Sequence, residues 1–355
     1  MRIAIIASHA WPLPSPARTG DSAIILDLTR TLAELGHDVT LFAPKGTKAP
    51  DGVTLAEMPL CSHGGADPST IEAEAATLRE HEALLLDVDI VHDCSVGKSF
   101  AEWRLSRELP AISTHWGGAL FHPKPARNVV AQSHAQRERL LQGVDDYMQP
   151  GGQAADCRTV WNGIDTEAYA PTGKPKADHF LMFGRWHPVR GIVQAIELAK
   201  ATGINLLIAG EDPERDHPYQ ANYAREMVAL ARGCSNISVE FLPGGDAHHT
   251  RKVELYSEAR ALLFLPQFQE PFGLPQVEAM ACGTFVIANG AGSTREVNGG
   301  TFDMAADQSW LTKEQGWSLL GQQCRERAAF LFSRQAMTAR YLELYEEVVA
   351  GRGWG

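Results

Sequence analysis

The chain has 355 residues, 44% hydrophobic and 21% charged, a globular composition long enough for two domains. Its net charge of −11 argues against a general nucleic-acid binder and against docking on anionic lipid through a polybasic patch, since both depend on basic contacts to phosphate. No stretch approaches the ~18–20 apolar residues of a membrane span, and six cysteines without a Cys-x-x-Cys pair read as reduced thiols in a cytoplasmic protein, not as a disulfide framework.

Short β-branched runs alternate with amphipathic helices along the chain, which is an α/β pattern. Residues 3–7 read as a buried first strand, too short for the apolar core of a signal peptide. A loop with Pro12, Pro14 and Pro16 follows. A helix over 22–35 then places Ile24, Ile25, Leu28, Leu32 and Leu35 on one face and stops at Gly36. Further strands are expected at 38–43, 89–92, 111–114, 129–132 and 159–161. Residues 171–176, Pro-Thr-Gly-Lys-Pro-Lys, have linker composition. The alternation then restarts, with strands over 179–183, 205–209, 238–241, 261–265 and 284–288 and helices over 192–201, 219–232, 251–259 and 275–282. A last helix over 334–349 puts Met337, Tyr341, Leu344, Tyr345 and Val348 at helical spacing. The expected architecture is two doubly wound domains of similar size, 1–170 and 171–333, facing each other across a ligand-binding cleft.

Several chemistries lose their support. No G-x-G-x-x-G follows the first strand, and there is no G-x-x-x-x-G-K-[ST] and no G-x-S-x-G. His248 and His249 are adjacent and make a poor metal pair. Two clusters remain. Arg185 and Arg190 lie five apart at a strand-to-helix turn, where guanidinium groups and helix amides can clamp a diphosphate; the plainer reading is two solvated loop arginines. In residues 270–283, Pro275 suits a first helical turn, Glu270 lies in the loop above it, and Glu278 lies in its second turn. Each carboxylate can bridge vicinal sugar hydroxyls. The apolar neighbours Val277, Ala279, Met280 and Ala281 tend to bury Glu278 rather than leave it a surface charge, whereas Glu270 alone could be a loop charge.

These motifs resemble those of the retaining glycosyltransferases of family four, which have the two-domain GT-B fold. The resemblance rests on Glu270-x7-Glu278 inside EPFGLPQVEAMACGTFVIA (270–288), and on FGRWHPVRG (183–191) against the family's G-R-x(4)-K-G. It rests also on VWNGIDTEAYAP (160–171) against V-x-N-G-[IV]-D-x(3)-F-x-P, and on LAELGHDVTLFAP (32–44) and VVAQSHAQRERL (129–140). It implies that the last helix, about 334–355, crosses back onto the first domain, and that the first domain takes the acceptor while the second binds the nucleotide sugar.

Roles follow by resemblance. Arg185 and Arg190 would bind the donor diphosphate and neutralise the leaving nucleotide, Arg190 standing where the family has Lys. Glu270, with the amides of Phe272, Gly273 and Leu274, would hold hydroxyls of the transferred sugar, and Glu278 the ribose diol. His115, beside Trp116, Gly117 and Gly118, would reach the sugar. The family's first loop carries Gly-Gly beside the diphosphate; here it reads Arg18, Thr19, Gly20, Asp21, Ser22. Gly20 keeps the close approach. Asp21 is either a helix N-cap or a group that meets an acceptor hydroxyl or amine, since a carboxylate there would repel phosphate. The resemblance implies a UDP- or GDP-sugar donor and no cofactor, the arginines replacing a metal cation, while the acidic balance points to a small soluble acceptor over a membrane lipid. The alternatives are a GT-B epimerase or phosphorylase, which needs its own base or a cofactor lysine, and a non-catalytic nucleotide-sugar binding protein, which would bind without turnover.

Overall fold

The computed structural model describes every residue except 16–19, 60–67, 99, 101–108, 118–127, 217, 246, 301–307, 314, 315, 353 and 355, with backbone alone at 68–71. Pro16, Arg18, Thr19 and Gly118, named above, and Cys61, one of the six cysteines, therefore lie outside the described residues. The chain divides into two compact units, one formed by Met1–Ile164 with Arg334–Gly355 and one by Asp165–Ser333.

In the first unit, β1 (Arg2–Ile6), β2 (Asp38–Pro44), β3 (Val53–Met58), β4 (Ile90–Asp93), β5 (Ala111–Thr114), β6 (Val129–Ala131) and β7 (Cys157–Thr159) form a parallel sheet in the order β3-β2-β1-β4-β5-β6-β7. The connecting helices include α1 (Gly20–Glu34), α2 (Pro68–Glu80), α3 (Glu82–Leu86) and α4 (His134–Gln142). β1 is buried beyond Arg2, hence its apolar run Ile3–Ile6, and β4 is buried throughout although it carries His92 and Asp93. The sequence reading omits β3, an edge strand whose Thr54 and Glu57 face solvent and break the apolar run. It also sets β7 two residues late. Pairing of Val129 with Cys157 fixes the register, and the Val160 amide closes the ladder on the Ala131 carbonyl at 2.9 Å.

In the second unit, β8 (Phe180–Phe183), β9 (Leu206–Glu211), β10 (Ile237–Leu242), β11 (Ala261–Phe264) and β12 (Phe285–Ala288) form a parallel sheet in the order β10-β9-β8-β11-β12. Its helices are α5 (Ile192–Thr202), α6 (Pro213–Asp216), α7 (Ala221–Arg232), α8 (Ala247–Glu258), α9 (Leu274–Ala281), α10 (Thr294–Asn298) and α11 (Trp317–Leu331). Phe180, Met182, Trp186, Ile196, Leu206 and Leu263 are buried in one core. The sequence reading misses α11. Its buried face is made of Gly321, Cys324 and Ala328 after Trp317, while Leu319 and Phe330 face solvent, so its apolar periodicity is inverted. The small residues are needed: a Cβ on Gly321 would lie 2.0 Å from the Gly283 carbonyl oxygen.

The last helix, α12 (Arg334–Val349), belongs to the first unit although it follows the second in sequence. It packs on α1, β4 and β5 through buried Met337, Tyr341, Tyr345 and Val348. Tyr345 Oη meets His92 Nδ1 at 2.7 Å, His92 Nε2 meets Thr114 Oγ1 at 2.7 Å, and Thr114 Oγ1 meets Tyr341 Oη at 2.8 Å. This chain of buried hydrogen bonds satisfies polar groups that would each cost about 1–3 kcal/mol if left alone.

Candidate active site

In each sheet the strand order reverses between two neighbours, β1 and β4 in the first unit and β8 and β11 in the second. Loops leaving the carboxyl ends of such strands diverge and leave a crevice, where ligands bind in open parallel sheets. The candidate residues of the second unit gather at that position. Gly184 and Arg185 follow β8; Arg190 ends the short 3₁₀ turn Pro188–Arg190 that leads into α5; Glu270 lies in the loop between β11 and α9.

The two loops are fastened together. The Gln267 amide donates to the Val189 carbonyl at 2.7 Å. Gly191 has φ +82° and lies against Leu265, where a Cβ would come within 2.0 Å of the carbonyl oxygen, so only glycine fits. Arg190 Nη1 then reaches Glu270 Oε2 at 3.2 Å, and its Cζ lies 5.5 Å from the centre of the Phe268 ring. Arg185 is exposed; its carbonyl accepts from the His187 amide at 2.9 Å, and its guanidinium has no hydrogen bond among the described residues. Glu270 is 6% exposed. A third loop, after β12, braces it from behind: Ser293 N donates to the Glu270 carbonyl at 2.9 Å, Gly292 N donates to Gln269 Oε1 at 3.0 Å, and a Cβ on Gly292 would lie 2.4 Å from the Glu270 backbone.

Gly273, at φ +82°, turns the chain into α9, where Pro275 occupies the first turn. The Phe272 carbonyl accepts from Gln276 Nε2 at 2.6 Å and from Ser293 Oγ at 3.0 Å. The amides of Phe272, Gly273 and Leu274 have no hydrogen-bond acceptor among the described residues. They form the positive pole of α9, beside the Arg190–Glu270 pair. An anion or a sugar oxygen fits there without displacing any backbone bond.

Glu278 is 8% exposed and carries three donors: Tyr169 Oη at 2.7 Å and Lys252 Nζ at 2.8 Å on Oε1, and Tyr256 Oη at 3.0 Å on Oε2. Burial pushes the Glu278 carboxyl up, but the Lys252 ammonium and the two hydroxyls more than offset this and hold it below the usual range. Burial likewise lowers Lys252, and Glu278 outweighs it, so the ammonium is held. The result is a charged pair at neutral pH. Tyr169, Lys252, Phe268 and Gly292 were not singled out from the sequence. Lys252 lies on the buried face of α8, four residues from His248 and from Tyr256, but nothing local marks it as the partner of a residue 26 positions away.

In the first unit, His115 follows β5 and is 5% exposed; its amide donates to Val130 at 2.9 Å and its carbonyl accepts from Gln132 Nε2 at 2.9 Å. The same loops hold Lys98, whose ammonium binds the carbonyls of Asp93, Ser95 and Thr114. Gly20 is the first residue of α1 and Asp21 the second. Asp21 is therefore in the first turn, two steps past the cap position, where the helix dipole favours its charge. Among the described residues no cluster of His, Cys, Asp or Glu could hold a metal ion, and no helix is long and apolar enough to cross a membrane.

Residues 166–308 match the family model described as glycosyl transferases group 1. The chain is 24% identical over 345 residues to a D-inositol 3-phosphate glycosyltransferase of Kribbella flavida, covering 82% of this chain and 80% of that protein. It is 27% identical over 343 residues to the D-inositol 3-phosphate glycosyltransferase of Mycobacterium bovis, covering 82% and 69%. Among solved structures it is similar to a glycosyltransferase involved in avilamycin A biosynthesis, with a TM-score of 0.71, 22% identity and 100% of both chains covered. It is similar in fold to Anabaena HepE in complex with UDP and glucose, with a TM-score of 0.68, 13% identity and coverage of 98% and 100%.

Proposed function

The chain is a glycosyltransferase of group 1 with the GT-B fold, and from that premise we propose that it moves a sugar from a nucleoside diphosphate to a small, soluble, hydroxyl-bearing acceptor with retention of anomeric configuration. The observation that carries this reading is the convergence of Arg190, Glu270 and the unpaired amides of Phe272, Gly273 and Leu274 at one strand-order reversal. The donor's diphosphate takes Arg185, Arg190 and the helix pole. As the bond from the anomeric carbon to the leaving oxygen lengthens, negative charge grows on the diphosphate and is met by fixed positive groups, the kind of stabilisation that costs no reorganisation. Glu270 binds hydroxyls of the sugar and its charge favours the oxocarbenium-like ring. Departure and attack occur on the same face, which keeps the configuration. The two arginines supply the charge a divalent cation would otherwise bring, so the reaction needs no metal and no cofactor.

His115 is assigned to the transferred sugar and Gly20 to close approach of the diphosphate. Asp21 is assigned to an acceptor hydroxyl or amine. The described cysteines, Cys94, Cys157, Cys234, Cys282 and Cys324, are free thiols, which supports a cytoplasmic enzyme using the nucleotide-sugar pool there. The test is turnover. Incubation with UDP-, GDP- and ADP-sugars and a panel of polyols and sugar phosphates should release nucleoside diphosphate only when an acceptor is present. The product's anomeric coupling constant should match the donor's. An inverted product would overturn the retaining assignment, and binding without release would overturn transfer.

A further inference from the structure

Glu278 was expected to grip a diol, which takes two acceptor directions from a carboxylate. The structure leaves it one. Oε1 can accept two hydrogen bonds and holds both, from Tyr169 Oη at 2.7 Å and Lys252 Nζ at 2.8 Å. Oε2 holds one, from Tyr256 Oη at 3.0 Å, and has a single direction left. The three donors are themselves fixed. Tyr256 is fully buried, with its ring 5.0 Å from that of Phe183. Tyr169 packs edge-on against His249 at 5.0 Å, and His249 is tied to the Ala168 carbonyl at 2.8 Å. The Lys252 ammonium lies 5.2 Å from the centre of the Tyr169 ring. The side chains of Glu278 and Lys252 keep 10% and 15% exposure, so the pair is not sealed from solvent. Tyr169 also stands where the motif of residues 160–171 has Phe, so the hydroxyl that closes Oε1 is this chain's own.

We propose that Tyr169 and Lys252 make Glu278 a site for one ribose hydroxyl, with Oε1 closed and Oε2 alone facing the donor. This rests on the donor reading above, in which Glu278 faces the ribose. Breaking the Lys252 bond would strand a buried charge, and the ammonium also holds the carboxylate ionised. The two residues are therefore positioning groups that set specificity, and neither touches the reacting atoms.

Calorimetry with UDP, GDP and ADP on the native chain identifies the diphosphate that binds tightest. Its 2′-deoxy and 3′-deoxy analogues then decide the question. One should bind at least tenfold more weakly and the other within threefold of the parent. Tyr169→Phe keeps the ring and opens one direction on Oε1; in that variant the insensitive analogue should lose threefold or more. Lys252→Met also opens a direction on Oε1 but strands the buried carboxylate, so the native comparison and Tyr169→Phe carry the weight. Equal losses on both analogues, losses on neither, or an unchanged pattern in Tyr169→Phe would overturn the single-hydroxyl site while leaving the donor reading intact. If none of the three diphosphates binds, the donor reading fails as well.

Discussion

Arg190 and Glu270 hold each other at 3.2 Å, so in the proposed reaction the diphosphate competes with the carboxylate for the guanidinium. Glu270→Gln removes that competitor and keeps the size of the side chain. Nucleoside diphosphate binding should be unchanged or up to a fewfold tighter, while kcat falls about 100-fold or more, because the lost charge acts only as the ring becomes positive. Arg190→Ala should weaken the diphosphate and slow transfer together. Isothermal calorimetry beside steady-state kinetics separates the two patterns. If Glu270→Gln weakens the diphosphate as much as Arg190→Ala, Glu270 belongs to the nucleotide and not to the sugar.

At the scale of elements, loops hold the site and glycines let them meet. Gly191→Ala places a methyl 2.0 Å from the Leu265 carbonyl at a φ of +82°, so the loops after β8 and β11 must part. A loss of at least about 2 kcal/mol in denaturant unfolding is expected, with diphosphate binding lost in whatever remains folded. The seam between α12 and the first sheet has its own signature. Burial lowers His92 from 6.5 to about 3, with the Lys98 charge acting in the same direction. The unfolded chain takes up a proton near pH 6.5 and the folded chain does not until about pH 3. Stability from this group is therefore constant above pH 6.5 and falls as pH drops below it, by about 1.4 kcal/mol per unit. Urea midpoints between pH 7 and pH 4 should show the slope. His92→Asn, less stable at neutral pH, should show a slope smaller by one proton.

Across the whole molecule the charge is −11, yet the donor loops present Arg185 and Arg190. An anionic donor is drawn by that local charge against an overall repulsive protein, so donor KM should rise steeply with ionic strength. In the proposed reaction the same arginines take the place of a divalent cation. Transfer should therefore keep its rate, within about twofold, in excess EDTA; loss that magnesium or manganese restores would show that the arginines are not the main electrophile.

The sequence by itself determined the α/β class, the two doubly wound units and the whole of α12, because buried parallel strands and amphipathic helices write their periods into the chain. It also marked Arg185, Arg190, Glu270 and Glu278, since the motifs that carry them are local runs. Elements with weak local patterns escaped it: β3, an edge strand with polar positions, and α11, whose buried face is Gly321, Cys324 and Ala328. Only the tertiary structure decided what each site residue touches. Lys252 meets Glu278 from another helix, Gly292 braces Glu270 from another loop, and Arg190 spends its charge on Glu270. Hydrogen bonds between distant segments depend on how the sheet order brings loop ends together, and side-chain spacing along one segment does not encode that. The three donors on Glu278, from Tyr169, Lys252 and Tyr256, are facts of this kind.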